Sequence, residues 1–178
     1  LEPTSSSYAM SQLTGLELCS AYRKEFNDNF ISAIPVNIFG PEDDFSSDNS
    51  HVIAALMKKT LKALKENQDT VEVWGSGNPK REFMYVDDLS DAIIFLMKNY
   101  NGPEPVNIGT SEVYSISEIA EMIKETVQYK GRLVFDTTKP DGMPIKTLDG
   151  SALLSLGWKS AFNLQSAIEI TYKWFLTR

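Results

Sequence analysis

The sequence predicts an α/β fold in which parallel strands are joined by crossover helices. Segments with helical periodicity alternate with short runs rich in Val and Ile along the chain, which is the pattern of repeated βα units. The clearest strand covers residues 30–39 and ends at the chain-breaking pair Gly40-Pro41. The clearest helix start is Ser115, because Glu118 stands three residues later in capping-box spacing. No repeat or linker interrupts the pattern, so we expect one compact unit.

The first helix is predicted over residues 8–26. Leu13, Leu16 and Cys19 recur at helical spacing and would form one apolar stripe. On that stripe Cys19 is expected to be a small core residue. The strand at 30–39 follows, and its nearly continuous apolar character is typical of a strand that is buried on both faces.

Two later helix starts are predicted from side chains that can accept hydrogen bonds in the first turn. Ser50 precedes a helical pattern over residues 51–66 and is expected to be its N-cap. Asp87 or Asp88 is expected to cap a helix that ends near residue 99, with a favourable contact between the carboxylate and the helix dipole.

The remaining elements are short apolar or periodic segments bounded by turn residues. Strands are predicted at 71–74, 82–86, 106–108 and 133–135, and helices at 116–127, 151–156 and 164–175. A loop broken by Pro and Gly is expected at 138–147.

Charge and cysteine content exclude several classes of protein. The 178 residues include 17 Lys+Arg and 24 Asp+Glu, which gives a net charge of −7. This acidic balance argues against a nucleic-acid binder or a protein of anionic membranes. One cysteine excludes an internal disulfide framework and a Cys-based zinc site, and no metal site is expected. Because no apolar run approaches the roughly 20 residues of a membrane span, we expect a cytoplasmic protein.

Tyr8 and Gln12 stand four residues apart and therefore share one face of the first helix. A lysine at the later position would favour the phenolate and hold a cofactor ribose, whereas Gln12 supplies no charge. On these residues alone, a partly exposed aromatic side chain is the simpler interpretation. His51, the single histidine, follows Ser50 at a predicted helix start. A neutral imidazole there can act as a general base, and a solvated surface histidine is the alternative.

Two segments contain residues suited to a nucleotide ligand. Trp74 precedes a Gly-Ser-Gly turn, and Arg81 follows seven residues after the tryptophan. An aromatic plane and a guanidinium suit a base or sugar plus a diphosphate. The alternative is a hairpin with Trp74 in the core and Arg81 in a surface ion pair. Asp141 and Lys146 can likewise meet a hydroxyl or a phosphate, although turn chemistry alone explains the Lys-Pro-Asp-Gly run.

Taken in order, these motifs resemble the GDP-L-fucose synthase family. The matching strings are YAMSQ, PVNIFGP, DNSHVIAALMKK, VWGSGNPKREFMYVDD, VNIGT, YKGRLVFDTTKPDG and LGW. The resemblance implies an extended short-chain dehydrogenase/reductase that epimerises GDP-4-keto-6-deoxy-D-mannose at C3 and C5 and then reduces C4 with NADPH. It also implies that this chain is the C-terminal part of such an enzyme. Segments near 1–48 and 84–110 would then complete a Rossmann-type lobe, and segments near 49–83 and 111–178 would form a small α/β substrate-binding lobe.

The resemblance also assigns roles to the residues around the cofactor. Tyr8 matches the catalytic tyrosine, which protonates the C4 oxygen as hydride arrives, and Gln12 stands where the family has a ribose-binding lysine. His51 matches the acid/base of epimerisation and would lie near the nicotinamide. The cofactor loop beside the nicotinamide would be formed by Pro35, Val36, Asn37 and Ile38.

The substrate residues follow from the same resemblance. Trp74, Arg81 and Asp141 match residues that hold the GDP-sugar, and Lys59 and Lys146 stand at basic substrate-binding positions. The expected partners are therefore a GDP-sugar, an N-terminal half of the same polypeptide and, in a homodimer, a second copy.

The chain departs from the family pattern in two respects. The glycine-rich phosphate loop, the catalytic serine and the partner cysteine of epimerisation lie upstream of the tyrosine in the family, and this chain has no G-x-G-x-x-G. We therefore expect the chain alone neither to bind NADP(H) tightly nor to reduce a substrate. Two alternatives stay open. One is another nucleotide-sugar epimerase or dehydratase of the same superfamily, for which His51 is the discriminating residue; the other, indicated by Gln12 and the missing half, is a non-catalytic pseudoenzyme that binds a nucleotide-sugar.

Overall fold

The computed structural model describes residues 6–46 and 50–178, and over this part helices and strands alternate as predicted. The α/β prediction is confirmed. The helices are α1 Ser6–Phe26, α2 Val52–Lys65, α3 Val86–Asn99, α4 Ile116–Val127, α5 Ser151–Ser155 and α6 Leu164–Phe175. The strands are β1 Ala33–Pro35, β2 Asn37–Phe39, β3 Thr70–Trp74, β4 Lys80–Tyr85, β5 Val106–Ile108, β6 Val113–Ser115, β7 Arg132–Asp136 and β8 Ile145–Lys146.

The strand predicted at 30–39 is divided at Val36 into β1 and β2. The two halves have different partners, since β1 pairs with β5 and β2 pairs with β4, both in parallel. At the junction, the Val36 amide donates to the Ile108 carbonyl of β5 at 3.0 Å, so its backbone N–H is satisfied where the chain changes from one partner strand to the other. The predicted parallel pairing extends to β3 with β7, whereas the unpredicted β6 is antiparallel to β4.

Two hydrophobic clusters form the core of the part of the chain that the structure describes. The first lies where α2, α4 and α6 pack against β3 and against part of β4, and the second lies between α3, β5 and α5. Successive side chains of a strand point to opposite faces. Phe83 and Tyr85 of β4 therefore enter the first cluster, and Met84 enters the second. The predicted boundary between lobes at residues 48–49 lies outside the described residues.

The predicted Ser115 capping box is confirmed, whereas the other two caps are wrong. The Glu118 amide donates to Ser115 Oγ at 3.2 Å, and the Ser115 amide donates to Glu118 Oε2 at 2.7 Å. The N-cap of α2 is His51 rather than Ser50, and the N-cap of α3 is Tyr85. Neither Asp87 nor Asp88 caps α3, because both already lie in its first turn.

Asp88 has a different structural role. Its buried carboxylate accepts the amide of Ala161 at 2.8 Å and that of Phe162 at 3.3 Å, so it joins the start of α3 to the loop before α6.

The predicted buried stripe of α1 is wrong. No residue of this helix is buried, Leu13 is exposed, and Cys19 is only half-buried. Apolar side chains are spread around the helix instead of sharing one face, so no continuous apolar stripe packs against the rest of the described residues. Its C-terminal end is fixed by Arg23, whose guanidinium donates to the main chain and, at 2.8 Å, to the side chain of Asn101. Among the described helices, none is long and apolar enough to cross a membrane.

Candidate functional site

A cavity of about 870 Å³ lies where α1, the β1–β2 segment, the start of α2 and β4 meet. Nine of the residues singled out in the sequence line this main cavity: Tyr8, Gln12, Pro35, Val36, Asn37, Ile38, His51, Arg81 and Lys146. Lys59, Trp74 and Asp141 are not among its lining residues. The structure thus brings the predicted cofactor residues together and places two of the five predicted substrate residues, Arg81 and Lys146, beside them.

The wall formed by β1 and β2 combines apolar and hydrogen-bonding groups. Pro35, Val36 and Ile38 contribute apolar surface, and the Asn37 side chain is fixed because its amide donates to the Glu82 carbonyl at 2.8 Å. Tyr8, on α1, also lines the cavity and is 67% exposed. Its phenol is therefore accessible from the cavity.

His51 borders the main cavity at the start of α2. Its position as N-cap leaves the imidazole outside the helix, and its side chain is 77% exposed. Nδ1 lies 3.3 Å from Oδ1 of Asp43, a carboxylate that the sequence analysis did not single out. The histidine is thus accessible on one side and paired on the other.

Trp74 lies at the end of β3 and is half-exposed, which excludes the alternative that it fills the core. The Lys59 ammonium lies 4.7 Å from the centre of one of its rings, and the Lys139 ammonium lies 5.5 Å from it. The indole N–H donates to the Glu72 carboxylate at 2.9 Å, which fixes the ring plane. We refer to Lys59, Glu72, Trp74 and Lys139 as the Trp74 cluster. An aromatic surface beside two ammonium groups suits a base with attached phosphates.

Asp141 is held by the turn that follows Trp74. The Ser76 amide donates to Oδ1 at 2.6 Å, and the Ser76 hydroxyl donates to Oδ2 at 2.8 Å. These bonds, the amide first, lower the pKa of Asp141, and the charge of Arg81 contributes less. Gly75 has a φ of +83°, and a Cβ there would clash with the Asp141 carboxylate, so both the backbone angle and the close approach require glycine.

Arg81 lies between the main cavity and the loop that carries Asp141. Its guanidinium donates to the Met143 carbonyl at 2.7 Å, and it also lines the main cavity. Partial burial lowers the pKa of Arg81, and the nearby Asp141 charge partly offsets this. Lys146 is paired with Arg81 in the β4–β8 register. Among the described residues, the Arg81 guanidinium bonds to the main-chain carbonyls of Lys80 and Met143 and forms no ion pair, so the surface-ion-pair alternative is wrong.

The structure adds residues that sequence reasoning missed. Glu82 is fully buried, and its carboxylate accepts the amides of Thr110 at 2.7 Å, Ser111 at 2.8 Å and Leu148 at 3.3 Å. The signal in the sequence was an acidic residue inside an apolar strand pattern, which requires a partner when it is buried. Within the described residues, no group of three or more His, Cys, Asp or Glu is placed to hold a metal ion.

Comparison with known proteins identifies the family. Residues 1–109 match the model of the NAD dependent epimerase/dehydratase family. The chain belongs to this family. Among curated members, "Putative GDP-L-fucose synthase 2" of Arabidopsis thaliana is 48% identical over 99% of this chain and 54% of its own length. The GDP-L-fucose synthase of Escherichia coli is 41% identical over 99% of this chain and 58% of its own length. The resemblance to GDP-L-fucose synthases is therefore confirmed, and the chain spans about half the length of these relatives.

Solved structures of the epimerase/dehydratase family show the same fold. A GDP-6-OMe-4-keto-L-xylo-heptose reductase from C. jejuni superposes with a TM-score of 0.90 at 30% identity, over 99% of this chain and 62% of that one. A GDP-L-fucose synthetase from Naegleria fowleri bound to NADP superposes with a TM-score of 0.84 at 34% identity, over 95% of this chain and 54% of that one.

Proposed function

We propose that this chain is the C-terminal, GDP-sugar-binding portion of an NADP-dependent enzyme that makes GDP-L-fucose from GDP-4-keto-6-deoxy-D-mannose. The observation that supports this best is the position of Arg81, which joins a cavity lined by Tyr8 and His51 to the loop that carries Asp141. A nucleotide bound near Trp74 would then place its sugar toward the two acid/base side chains. The comparisons support the same substrate class, since the relatives act on GDP-linked sugars by name.

The part of the proposed site that would bind GDP is inferred from aromatic surface and charge. Trp74 is half-exposed and offers an aromatic surface for a base once the Lys59 and Lys139 ammonium groups that lie over its rings turn toward the phosphates. Lys59, Arg81 and Lys146 are the cations we expect at the diphosphate. Asp141 is ionised at neutral pH, as an ordinary aspartate is, and its carboxylate can accept hydrogen bonds from ligand donors. This local grouping explains how a chain with a net charge of −7 can hold an anionic ligand.

The catalytic half uses two proton-transferring groups. The His51 imidazole would exchange protons with carbons C3 and C5, which are acidified by the adjacent C4 carbonyl. The Tyr8 phenol would donate a proton to the C4 oxygen. When bound, NADPH supplies the hydride, and Pro35, Val36, Asn37 and Ile38 would face its nicotinamide, since they form a mixed apolar and hydrogen-bonding wall. Gln12 can bond a ribose hydroxyl but cannot stabilise a phenolate by charge, so we expect slow reduction relative to epimerisation.

Calorimetry with GDP and with NADPH tests the binding half on this chain. GDP is expected to bind and NADPH to bind weakly, because the residues described here offer no glycine-rich phosphate loop. Replacing Arg81 with Ala should weaken GDP binding by about 10- to 100-fold, since it removes charge-assisted hydrogen bonds. Arg132→Ala is the matched control, because Arg132 is exposed at the opposite end of the β3–β7 pair. Absence of GDP binding would contradict the substrate assignment. Tight NADPH binding would contradict the expectation that the upstream half of the polypeptide supplies the phosphate-binding part of the cofactor site.

The catalytic half is tested in a polypeptide that joins this chain to the upstream half of the Arabidopsis relative. In deuterated water, C3 and C5 of the substrate should exchange, and His51→Gln should abolish that exchange. Exchange that survives this change would favour another nucleotide-sugar epimerase or dehydratase. Gln12→Lys should raise the rate of reduction. No gain, together with no exchange, would favour the pseudoenzyme, the alternative that Gln12 itself supports.

The exposed helix α1 suggests where protein partners bind. Tyr8, Met10, Leu13 and Leu18 are all about half or more exposed, although large apolar side chains are normally covered. We propose that the upstream half of the polypeptide, or a second copy in a homodimer, covers this helix. Size-exclusion chromatography with light scattering, comparing this chain with its Leu18→Glu variant, would detect self-association through α1.

A further inference from the structure

Asp43 lies in the turn between β2 and α2, beside the only histidine of the chain. Its Oδ1 is 3.3 Å from Nδ1 of His51 and also accepts the Asp44 amide at 2.8 Å. Its side chain is 12% exposed. Among the residues that the structure describes, its second oxygen, Oδ2, is buried and has no hydrogen-bond partner. A buried carboxylate oxygen without a partner is unfavourable, and such groups are often retained for a functional reason.

The turn that carries Asp43 is anchored to the last helix. The Phe45 ring stacks on Phe175 with centroids 4.3 Å apart, and Arg178 forms an ion pair with Glu42 at 2.8 Å. These contacts fix the turn on both sides of Asp43, and the Nδ1–Oδ1 distance of 3.3 Å places its carboxylate beside the imidazole.

The chemistry of the pair defines the tautomer of His51. An ionised carboxylate can only accept hydrogen bonds, so Nδ1 must carry the hydrogen that lies between the two groups. In the neutral ring, Nε2 then carries the lone pair. Since Nδ1 is engaged by Asp43 and the rest of the side chain is exposed at the main cavity, Nε2 is the nitrogen available there.

We propose that Asp43 is the positioning residue of His51: it fixes the Nδ1–H tautomer and so makes Nε2 the atom that exchanges protons in the main cavity. When a C–H bond next to the substrate carbonyl breaks, its proton goes to Nε2 and the electron pair goes to the carbonyl oxygen. The imidazolium so formed is paired with the Asp43 carboxylate. A proton returned from Nε2–H to the same face would restore the original configuration, so inversion needs a second acid/base on the opposite face, which the family resemblance places in the upstream half. His51 then takes up or delivers the proton on its own face only. The identity of that substrate rests on the proposed function, whereas the tautomer does not.

The single histidine allows a direct test on this chain. With ¹⁵N-labelled imidazole, long-range ¹H–¹⁵N correlation at pH ~9, well above the ordinary range of histidine, distinguishes the two neutral tautomers without overlap. We expect mainly Nδ1–H in the unchanged chain and mainly Nε2–H in Asp43→Ala, where the acceptor is lost. Asp43→Asn keeps an acceptor oxygen, so it should retain part of the Nδ1–H population. Glu104→Gln removes an exposed carboxylate in the loop before β5, outside the turn that carries Asp43, and should leave the tautomer unchanged.

The result that would overturn the proposal is an Nε2–H tautomer in the unchanged chain, or an Nδ1–H population that Asp43→Ala does not alter. Methyl NMR spectra of each variant verify that the fold is retained, and if Asp43→Ala is unfolded, Asp43→Asn decides the question by a measurable fall in Nδ1–H. GDP affinity is measured on the same samples and should change less than 2-fold. Loss of GDP binding in the unchanged chain would contradict the proposed function while leaving the tautomer result intact.

Discussion

At the scale of single residues, the candidate site contains charged side chains whose ionised form is stabilised by neighbouring hydrogen-bond donors. Asp141 shows this best, because the turn after Trp74 supplies two donors to its carboxylate, both from Ser76. Its lowered pKa means that the folded state favours the ionised form. The associated stabilisation is present above the unfolded pKa of about 3.9 and is lost as pH falls through the lower pKa of the folded state.

Replacing Ser76 with Ala should raise the pKa of Asp141 part of the way to its ordinary value. The hydroxyl bond is lost, but the main-chain amide, which contributes most, remains. The variant should then lose less stability than the unchanged chain when pH is lowered below about 4. Carboxyl ¹³C NMR titration measures the shift. Thr138→Ala, which removes the equivalent hydroxyl bond to Asp136, should leave the Asp141 titration unchanged.

Glu82 is the residue whose change should affect stability most directly. Glu82→Gln replaces one acceptor oxygen with a donor, which leaves at least one of the three main-chain amides facing an N–H group. We expect a loss of about 1–3 kcal/mol in the free energy of unfolding. Urea denaturation measures it, with the exposed Glu104→Gln as control at a change within about 0.5 kcal/mol. Equal stability of the two variants would mean that the Glu82 bonds contribute nothing net.

At the scale of elements, helix starts were predictable only where the cap is local. The Ser115 box needs one residue and its third neighbour, both visible in the sequence. Ser50 and Asp88 also stand before apolar helical patterns, yet the chain uses His51 and Tyr85 as caps instead. Asp88 forms its bonds with residues more than 70 positions away, and no local spacing can indicate such a partner.

Replacing Ser115 with Ala should destabilise the protein by about 0.5–2 kcal/mol, because the Glu118 amide loses its acceptor at the start of α4. Thermal unfolding followed by circular dichroism measures the effect. Ser90→Ala serves as the control, since the Ser90 hydroxyl only bonds back to the Val86 carbonyl within α3. That control should change stability by less than about 0.5 kcal/mol. A larger loss for Ser90→Ala than for Ser115→Ala would contradict the assigned role of the box.

At the scale of the whole molecule, β4 couples the unfolding of the two hydrophobic clusters, because it contributes side chains to both. Phe83 and Tyr85 belong to one cluster and Met84 to the other. Displacement of β4 would therefore expose side chains of both clusters at once. The same strand pairs with β2, β6 and β8 and presents Arg81 to the main cavity. The clusters and the site therefore share one structural element.

Unfolding of the described core should accordingly be a single transition. Met84→Ala and Ile123→Ala each remove a fully buried side chain from a different cluster and should each cost about 2–5 kcal/mol. Both should shift the same urea transition, with fluorescence and circular dichroism coinciding. Leu18→Ala on the exposed helix α1 is the control and should shift it little. Two separate transitions would show that the clusters unfold independently.

The sequence by itself determined the α/β class, the order of the main elements and the family resemblance, because periodicity, breakers and linear motifs are local properties of the chain. It also singled out Tyr8, His51 and Arg81 as candidate site residues, and these line one cavity in the structure. Only the tertiary structure decided which side chains meet. The division of β1 from β2, the exposure of α1, the three amides on Glu82 and the Asp43–His51 pair all depend on packing between elements that local sequence patterns do not encode.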